Sequence, residues 1–193
     1  KKKADDLKRL EDKKLDPEFV SLQKKSIEDN YNSVVKYYKK NYEANLAKSK
    51  LNNTMSPSFD YENHKGGKMK LEDFKGKYVY IDVWATWCGP CRAEIPSLKK
   101  IEEKYHGKNI EFVSISVDVD KDHDKWKTFV EEKQLGGTQL FADKNWNSDF
   151  MKSFGVTSIP RFILIDPNGK IVKSDALRPS NPELQKELDS LLN

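Results

Sequence analysis

Tyr78-Val79-Tyr80-Ile81-Asp82-Val83-Trp84-Ala85-Thr86-Trp87-Cys88-Gly89-Pro90-Cys91-Arg92-Ala93-Glu94-Ile95-Pro96 holds both cysteines of the chain, two residues apart. Tyr78 to Val83 is rich in β-branched and aromatic side chains and follows Gly76, the pattern of a short buried strand. Pro90 suits the first turn of a helix, where its missing N–H costs nothing. A strand running straight into a helix, with Cys-Gly-Pro-Cys at the junction, sets the Cys88 sulfur beside N–H groups that lack an intrahelical partner, at the positive end of the helix dipole. Such a setting favours thiolate over thiol. Cys88 is therefore the candidate nucleophile of a disulfide exchange, and Cys91, one turn inside and expected to be less exposed, the candidate resolving thiol.

Each of these residues also has a plainer reading. A CxxC pair is half of a zinc site, but the other half needs two more ligands, and His64, His106 and His123 show no metal spacing, so no metal site is expected. Asp82 lies in an apolar strand whose alternation does not say whether it points to solvent or inward, and unpaired acids are seldom buried. Glu94, three residues after Cys91, shares a helical face with it, although a helix glutamate is ordinarily a solvated one. Trp84 and Trp126 read as packing, Trp87 as the rim of the site.

The run from Asp82 to Cys91 resembles the active-site segment of thioredoxins, with its acid six residues before the first cysteine, two tryptophans, an internal Gly-Pro, Pro96 downstream and a later Ile159-Pro160. Glu94-Ile95-Pro96 is similar to the extracytoplasmic TlpA/ResA-like branch of that superfamily. The resemblance implies an α/β, three-layer thioredoxin-like fold, a mixed central sheet between helices, and a redox-active Cys88–Cys91 disulfide. It implies that Asp82 is buried beneath the second cysteine and handles its proton, and that Glu94 belongs to the catalytic group. Ile159-Pro160 would be a cis-proline loop opposite the cysteines, binding an extended substrate together with Trp87, Gly89 and Pro90. Arg161 stands where a threonine is common in the family, which leaves substrate preference open.

The implied activity is that of a thiol:disulfide oxidoreductase, acting mainly as a reductase because Gly89-Pro90 matches the reducing end of the superfamily, and needing no cofactor. A disulfide-bearing protein client and a membrane electron donor are the implied partners. The implied location is extracytoplasmic, periplasm or cell envelope, with a signal peptide or lipid anchor removed. An isomerase or oxidase is the rival within the class. A redox-sensing, partner-binding module relying on the N-terminal helices is the rival outside it. The proline-threonine-cysteine loop of peroxiredoxins is missing.

Composition bounds these readings. A chain of 193 residues is long for one such domain and short for two. Of 35 Lys/Arg and 31 Asp/Glu, residues 1–50 carry 14 and 9, leaving the rest close to neutral. With no Arg-rich or aromatic-interleaved stripe, nucleic acid is not an expected partner. Residues 1–52 are dense in Lys, Glu and Asp without glycine and read as a helical extension, residues 53–193 as the thioredoxin-like domain.

Leu7 and Leu10 suggest a short first helix, and Asp16-Pro17-Glu18 starts a long amphipathic one through Phe19, Tyr31, Tyr38 and Leu46. Its apolar face packs on the first helix or the domain, or serves self-association or a partner. Beyond the connector 51–57, a hairpin around Gly66-Gly67, strands at 78–83, 110–117, 140–142 and 162–165, a hairpin at Asp166-Pro167-Asn168-Gly169, and helices at 122–133, 146–154 and from Asn181 are expected.

Overall fold

The computed structural model describes residues 2–11 and 15–192. The chain divides into two compact units that meet between Ala47 and Lys48.

The first unit holds α1 (Lys2–Glu11) and most of α2 (Pro17–Leu51). Asp16 starts α2 as expected, its Oδ1 accepting the N–H groups of Glu18 and Phe19 at 2.9 and 3.0 Å with Pro17 at the first helical position. The Lys3 ammonium of α1 lies 3.2 Å from a Glu28 carboxylate oxygen and 5.0 Å from the centre of the Tyr31 ring. No residue of α2 is buried, and Leu22, Tyr37, Tyr38 and Tyr42 are well exposed.

The second unit takes in the last turn of α2 because Ser174 grips it: the Ser174 hydroxyl donates to the Lys48 carbonyl at 2.6 Å and the Ser174 N–H to Asn52 Oδ1 at 2.9 Å. Seven strands follow: β1 (Asp60–Asn63), β2 (Lys68–Lys70), β3 (Tyr78–Trp84), β4 (Ile110–Ser116), β5 (Thr138–Phe141), β6 (Arg161–Ile165) and β7 (Ile171–Lys173). They form one mixed sheet in the order β2-β1-β5-β4-β3-β6-β7. β3 runs parallel to β4 and antiparallel to β6, with Trp84 opposite Ser116 and Val83 opposite Arg161.

Alternation along β3 builds both faces of the core. Val79, Ile81 and Val83 join the cluster formed with α4 (His123–Glu132) and α5 (Asp149–Ser153). Tyr80 joins the cluster of α3 (Gly89–Lys104) and α6 (Pro182–Leu192), with Leu98, Ile101, Leu184 and Leu188. Helices thus cover both faces of the sheet, in the three-layer thioredoxin-like arrangement. Asp82, two residues on from Tyr80, faces α3.

One element is shorter than its sequence suggests. Instead of a helix over 146–154 there is a 3-10 turn at Asn145–Asn147, and the α-helix restarts at Asp149. Ser148 breaks the run: its backbone is extended (φ −61°, ψ 149°) and its hydroxyl accepts the Met151 N–H at 3.4 Å.

Candidate active site

The loop from β3 into α3 is held from the neighbouring strand. Asp118, just past the end of β4, is fully buried, and its carboxylate accepts the Thr86 N–H at 2.9 Å, the Thr86 hydroxyl at 2.8 Å and the Ser116 hydroxyl at 2.7 Å. Thr86 is two residues before Cys88, so Asp118 fixes the chain from which the first cysteine hangs.

Cys88 is the N-cap of α3 (φ −79°, ψ 101°), and its sulfur accepts the Cys91 N–H at 3.2 Å. Pro90 lies in the first turn, and the two cysteines are joined in a disulfide with Cα atoms 5.3 Å apart. The expected difference in their exposure is not seen in this closed state: Cys88 is 4 % and Cys91 3 % exposed. The bond draws the Cys88 sulfur inward over the helix terminus, where it covers its partner and is covered by it. Trp87 (53 % exposed), Gly89 and Pro90 surround the bond at the surface, while Trp84 and Trp126 are buried.

The Ile159–Pro160 bond is cis and both residues are half-buried. Since β6 starts at Arg161, opposite Val83 on the antiparallel β3, this loop and the dithiol motif leave adjacent strands at the same end of the sheet. The Arg161 side chain is buried and faces the chain after β7: its Nε donates to the Ser174 carbonyl at 2.9 Å, Nη2 donates to the same oxygen, and Asp175 Oδ1 lies 3.3 Å away. Arg161 therefore braces the cis-proline loop through Ser174, the residue that also grips α2.

The acids near the dithiol occupy two different settings. The Glu94 carboxylate is buried at the start of α6, accepting the Ser180 N–H and hydroxyl at 2.9 Å each, with Arg178 at 3.9 Å. Asp82, by contrast, lines a cavity of about 10 Å³ together with Cys91, Leu98, Lys99, Glu102 and Gln139. Asp82 Oδ1 has no hydrogen-bond partner there, and its pKa is pushed up to about 8, chiefly by burial and further by the charges of Glu102 and Glu94.

Glu102 is itself pushed up to about 7 by burial, against the pull of the Lys99 ammonium. A charge on Glu102 adds to burial in holding the Asp82 proton.

Asp118 and Glu102 are the residues that sequence reading missed. Asp118 could have been found as a lone acid closing an apolar strand that runs parallel to the motif's own. Glu102 follows Cys91 by eleven positions, about 20° from it around a helix, and faces Gly136-Gly137, where side chains are absent.

The sequence profile of the redoxin family matches residues 50–192. The chain belongs to the redoxin family. It is 31 % identical over 136 residues to the thiol-disulfide oxidoreductase ResA of Bacillus thuringiensis subsp. konkukian, a match covering 70 % of this chain and 76 % of that one. The solution structure of a proposed thiol-disulfide oxidoreductase from Bacteroides vulgatus superposes with a TM-score of 0.64 at 46 % identity, over 72 % of this chain and 91 % of that one. The crystal structure of the thioredoxin domain of another thiol-disulfide oxidoreductase from Bacteroides vulgatus gives a TM-score of 0.65 at 31 % identity, over 74 % and 98 %. This redoxin is a thiol:disulfide oxidoreductase of the TlpA/ResA-like, thioredoxin-fold group.

Proposed function

We propose that the chain is an extracytoplasmic reductase of protein disulfides, with Cys88 as nucleophile, Cys91 as resolver and Asp82 as the group that exchanges a proton with Cys91. What carries the reading is the Cys88–Cys91 disulfide closed over the N-terminus of α3, with Asp82 in the cavity that Cys91 also lines.

In the reduced state the Cys88 thiolate attacks a client disulfide, and the electron pair of that bond leaves on the distant client sulfur, which takes a proton from water. Cys91 then gives its proton to Asp82 and attacks the Cys88 sulfur; the client's second sulfur departs and the internal disulfide closes. A dithiol from a membrane electron donor reverses the last step, Cys91 leaving as thiolate and regaining its proton from Asp82. Glu94 contributes its charge, which raises the proton affinity of Asp82. Trp87, Gly89, Pro90 and the Ile159–Pro160 loop offer the surface on which an extended client lies.

Gly89-Pro90 supports the reducing direction. Potentials in the superfamily run from about −270 mV for thioredoxin to about −120 mV for DsbA. Equilibration with glutathione is expected to place this protein toward the thioredoxin value, with turnover of insulin disulfides and stalled client adducts on Cys88 in Cys91→Ser. A potential near the DsbA value, together with oxidation of reduced clients, would reverse the direction and leave the dithiol chemistry standing.

A second role attaches to residues 1–52. α2 exposes Tyr37, Tyr38 and Tyr42 and buries no residue, which favours a surface for a partner or a second copy. Sedimentation of the full chain against one starting at Lys48 tests self-association.

A further inference from the structure

A proton that moves between Cys91 and Asp82 must also reach solvent, and the lower part of α3 offers the route. Glu102 follows Cys91 by three helical turns, roughly 16 Å along the axis, and helix side chains lean back toward the N-terminus. Its carboxylate occupies the space above Gly136 and Gly137: a Cβ on Gly136 would sit 2.3 Å from Glu102 Oε2, and one on Gly137 would sit 3.1 Å from Oε1 and 2.6 Å from the Phe112 carbonyl. Glycine at both positions makes room for the carboxylate.

Glu102 lines two spaces. One is the inner cavity with Asp82 and Cys91; the other is an open basin of about 490 Å³ with Lys77, His106, Lys108 and Glu111. The inner cavity has about the room that one water needs. Three of its lining residues carry buried atoms without a partner: Asp82 Oδ1 and Gln139 Oε1, which accept, and Trp84 Nε1, which donates. A single water has two protons and two lone pairs: it accepts from Trp84 Nε1, donates to Gln139 Oε1, and keeps one lone pair for the proton of a neutral Asp82 carboxyl and one proton for the Glu102 carboxylate that lines the same cavity. The charged groups around Glu102 are thus Asp82 on β3, Lys99 on α3 and, in the basin, Lys77, His106, Lys108 and Glu111.

We propose that Glu102 is the proton outlet of the dithiol, passing a proton between Asp82 in the inner cavity and solvent in the basin by way of that water. When Cys91 closes the disulfide, its proton goes to Asp82, on through the water to the Glu102 carboxylate, and out to the basin. When the disulfide is reduced the same proton returns in the opposite order, and no electrons move through Glu102. Glu102 touches neither sulfur and acts through Asp82, so it is a positioning and relay group. It can act this way only if Asp82 exchanges its proton with Cys91, as proposed above.

The reduced protein mixed with dithiobis(nitrobenzoate) releases one thionitrobenzoate when Cys88 attacks and a second when Cys91 resolves the adduct, so the second release times the step that Asp82 serves. With the Glu102 charge removed, Asp82 ionises more readily. Glu102→Gln is expected to move the pH midpoint of the second release down by roughly one unit and to slow it at low buffer concentration, with the rate recovering as imidazole is added. Gly136 is not at positive φ, so Gly136→Ala displaces the carboxylate without backbone strain and is expected to give the same shift. Superimposable profiles for wild type and both folded variants, with no effect of imidazole, would overturn the outlet. If Asp82→Asn slows the second release while Glu102→Gln leaves it unmoved, the outlet alone fails. An unaffected second release in Asp82→Asn removes the Asp82 reading and the outlet with it.

Discussion

Replacing Asp82 by asparagine should make this protein more stable at neutral pH, and the size of the gain follows from its burial. Asp82 has an unpartnered Oδ1 and a pKa pushed up to about 8, against about 3.9 for an aspartate in an unfolded chain. A folded-state pKa above the unfolded one in a carboxyl means that the native state binds the proton more tightly. Stability therefore falls as pH rises from about 4 to about 8, by about 1.4 kcal/mol per unit. By pH 7 the loss is about 4 kcal/mol, a large share of the 5–15 kcal/mol that typically holds a domain together.

Asparagine has the same shape and does not titrate. Its second N–H adds one buried donor, at a cost of about 1–3 kcal/mol that is the same at every pH. The net gain at pH 7 is then about 1–3 kcal/mol. The more decisive quantity is the difference between the two proteins, which should grow in favour of Asp82→Asn by about 4 kcal/mol between pH 4 and pH 7. Urea unfolding of the disulfide forms at several pH values, with equal m-values, reads this directly. Parallel stability curves for the two proteins across that range would refute the idea that Asp82 is buried and titrates high.

Two further perturbations test the frame around the site. Asp118→Ala strands the Thr86 N–H and two hydroxyls and should cost about 3–4 kcal/mol of stability along with most of the turnover, whereas Asp118→Asn should cost about 1 kcal/mol; urea unfolding and insulin reduction measure both. A chain starting at Lys48 should match the full protein in urea midpoint, while one starting at Asn53 loses both Ser174 hydrogen bonds and the Leu51 packing and should unfold about 3 kcal/mol earlier.

How far the sequence could be read depended on whether a feature is local. The strand, the cysteine pair and the start of α3 lie within one stretch whose pattern, proline position and cap follow from local physics, and they sit where that pattern puts them. The Asp16 cap of α2 is legible for the same reason. The split at Ala47 is less so, because α2 continues past it in one helical composition, and it is Ser174 and Asp175, more than a hundred positions on, that draw Lys48 and Asn52 to the sheet. Arg161 gave no local sign that it faces Ser174. Glu102 looks like an ordinary surface acid in the sequence, and Asp118 shows only its place at the end of an apolar strand; the burial of Asp118 comes from the register of β3 with β4, and the half-burial of Glu102 from the glycine pair at 136–137. What tertiary placement decides, a reading of neighbours along the chain does not reach.

Under the proposed role of Asp82, that placement accounts for an acid beneath the dithiol at a cost in stability. An aspartate left at its solution value would be ionised at pH 7 and would hold no proton for Cys91 to regain when the disulfide is reduced. One pushed far above 10 would never be free to accept the proton when the disulfide closes. The Asp82 value of about 8 lies far nearer the range of cysteine thiols than a solution aspartate does, which leaves the proton free to pass in either direction. Burial alone would set that value by the shape of the cavity, but Glu102 and Glu94 add charges that adjust it from outside the contact. The helix terminus acts on Cys88 in the opposite sense, favouring its anion. On the proposed roles, the N-terminus of α3 favours the anion of Cys88, while the charges of Glu102 and Glu94 strengthen the hold of Asp82 on the proton it exchanges with Cys91.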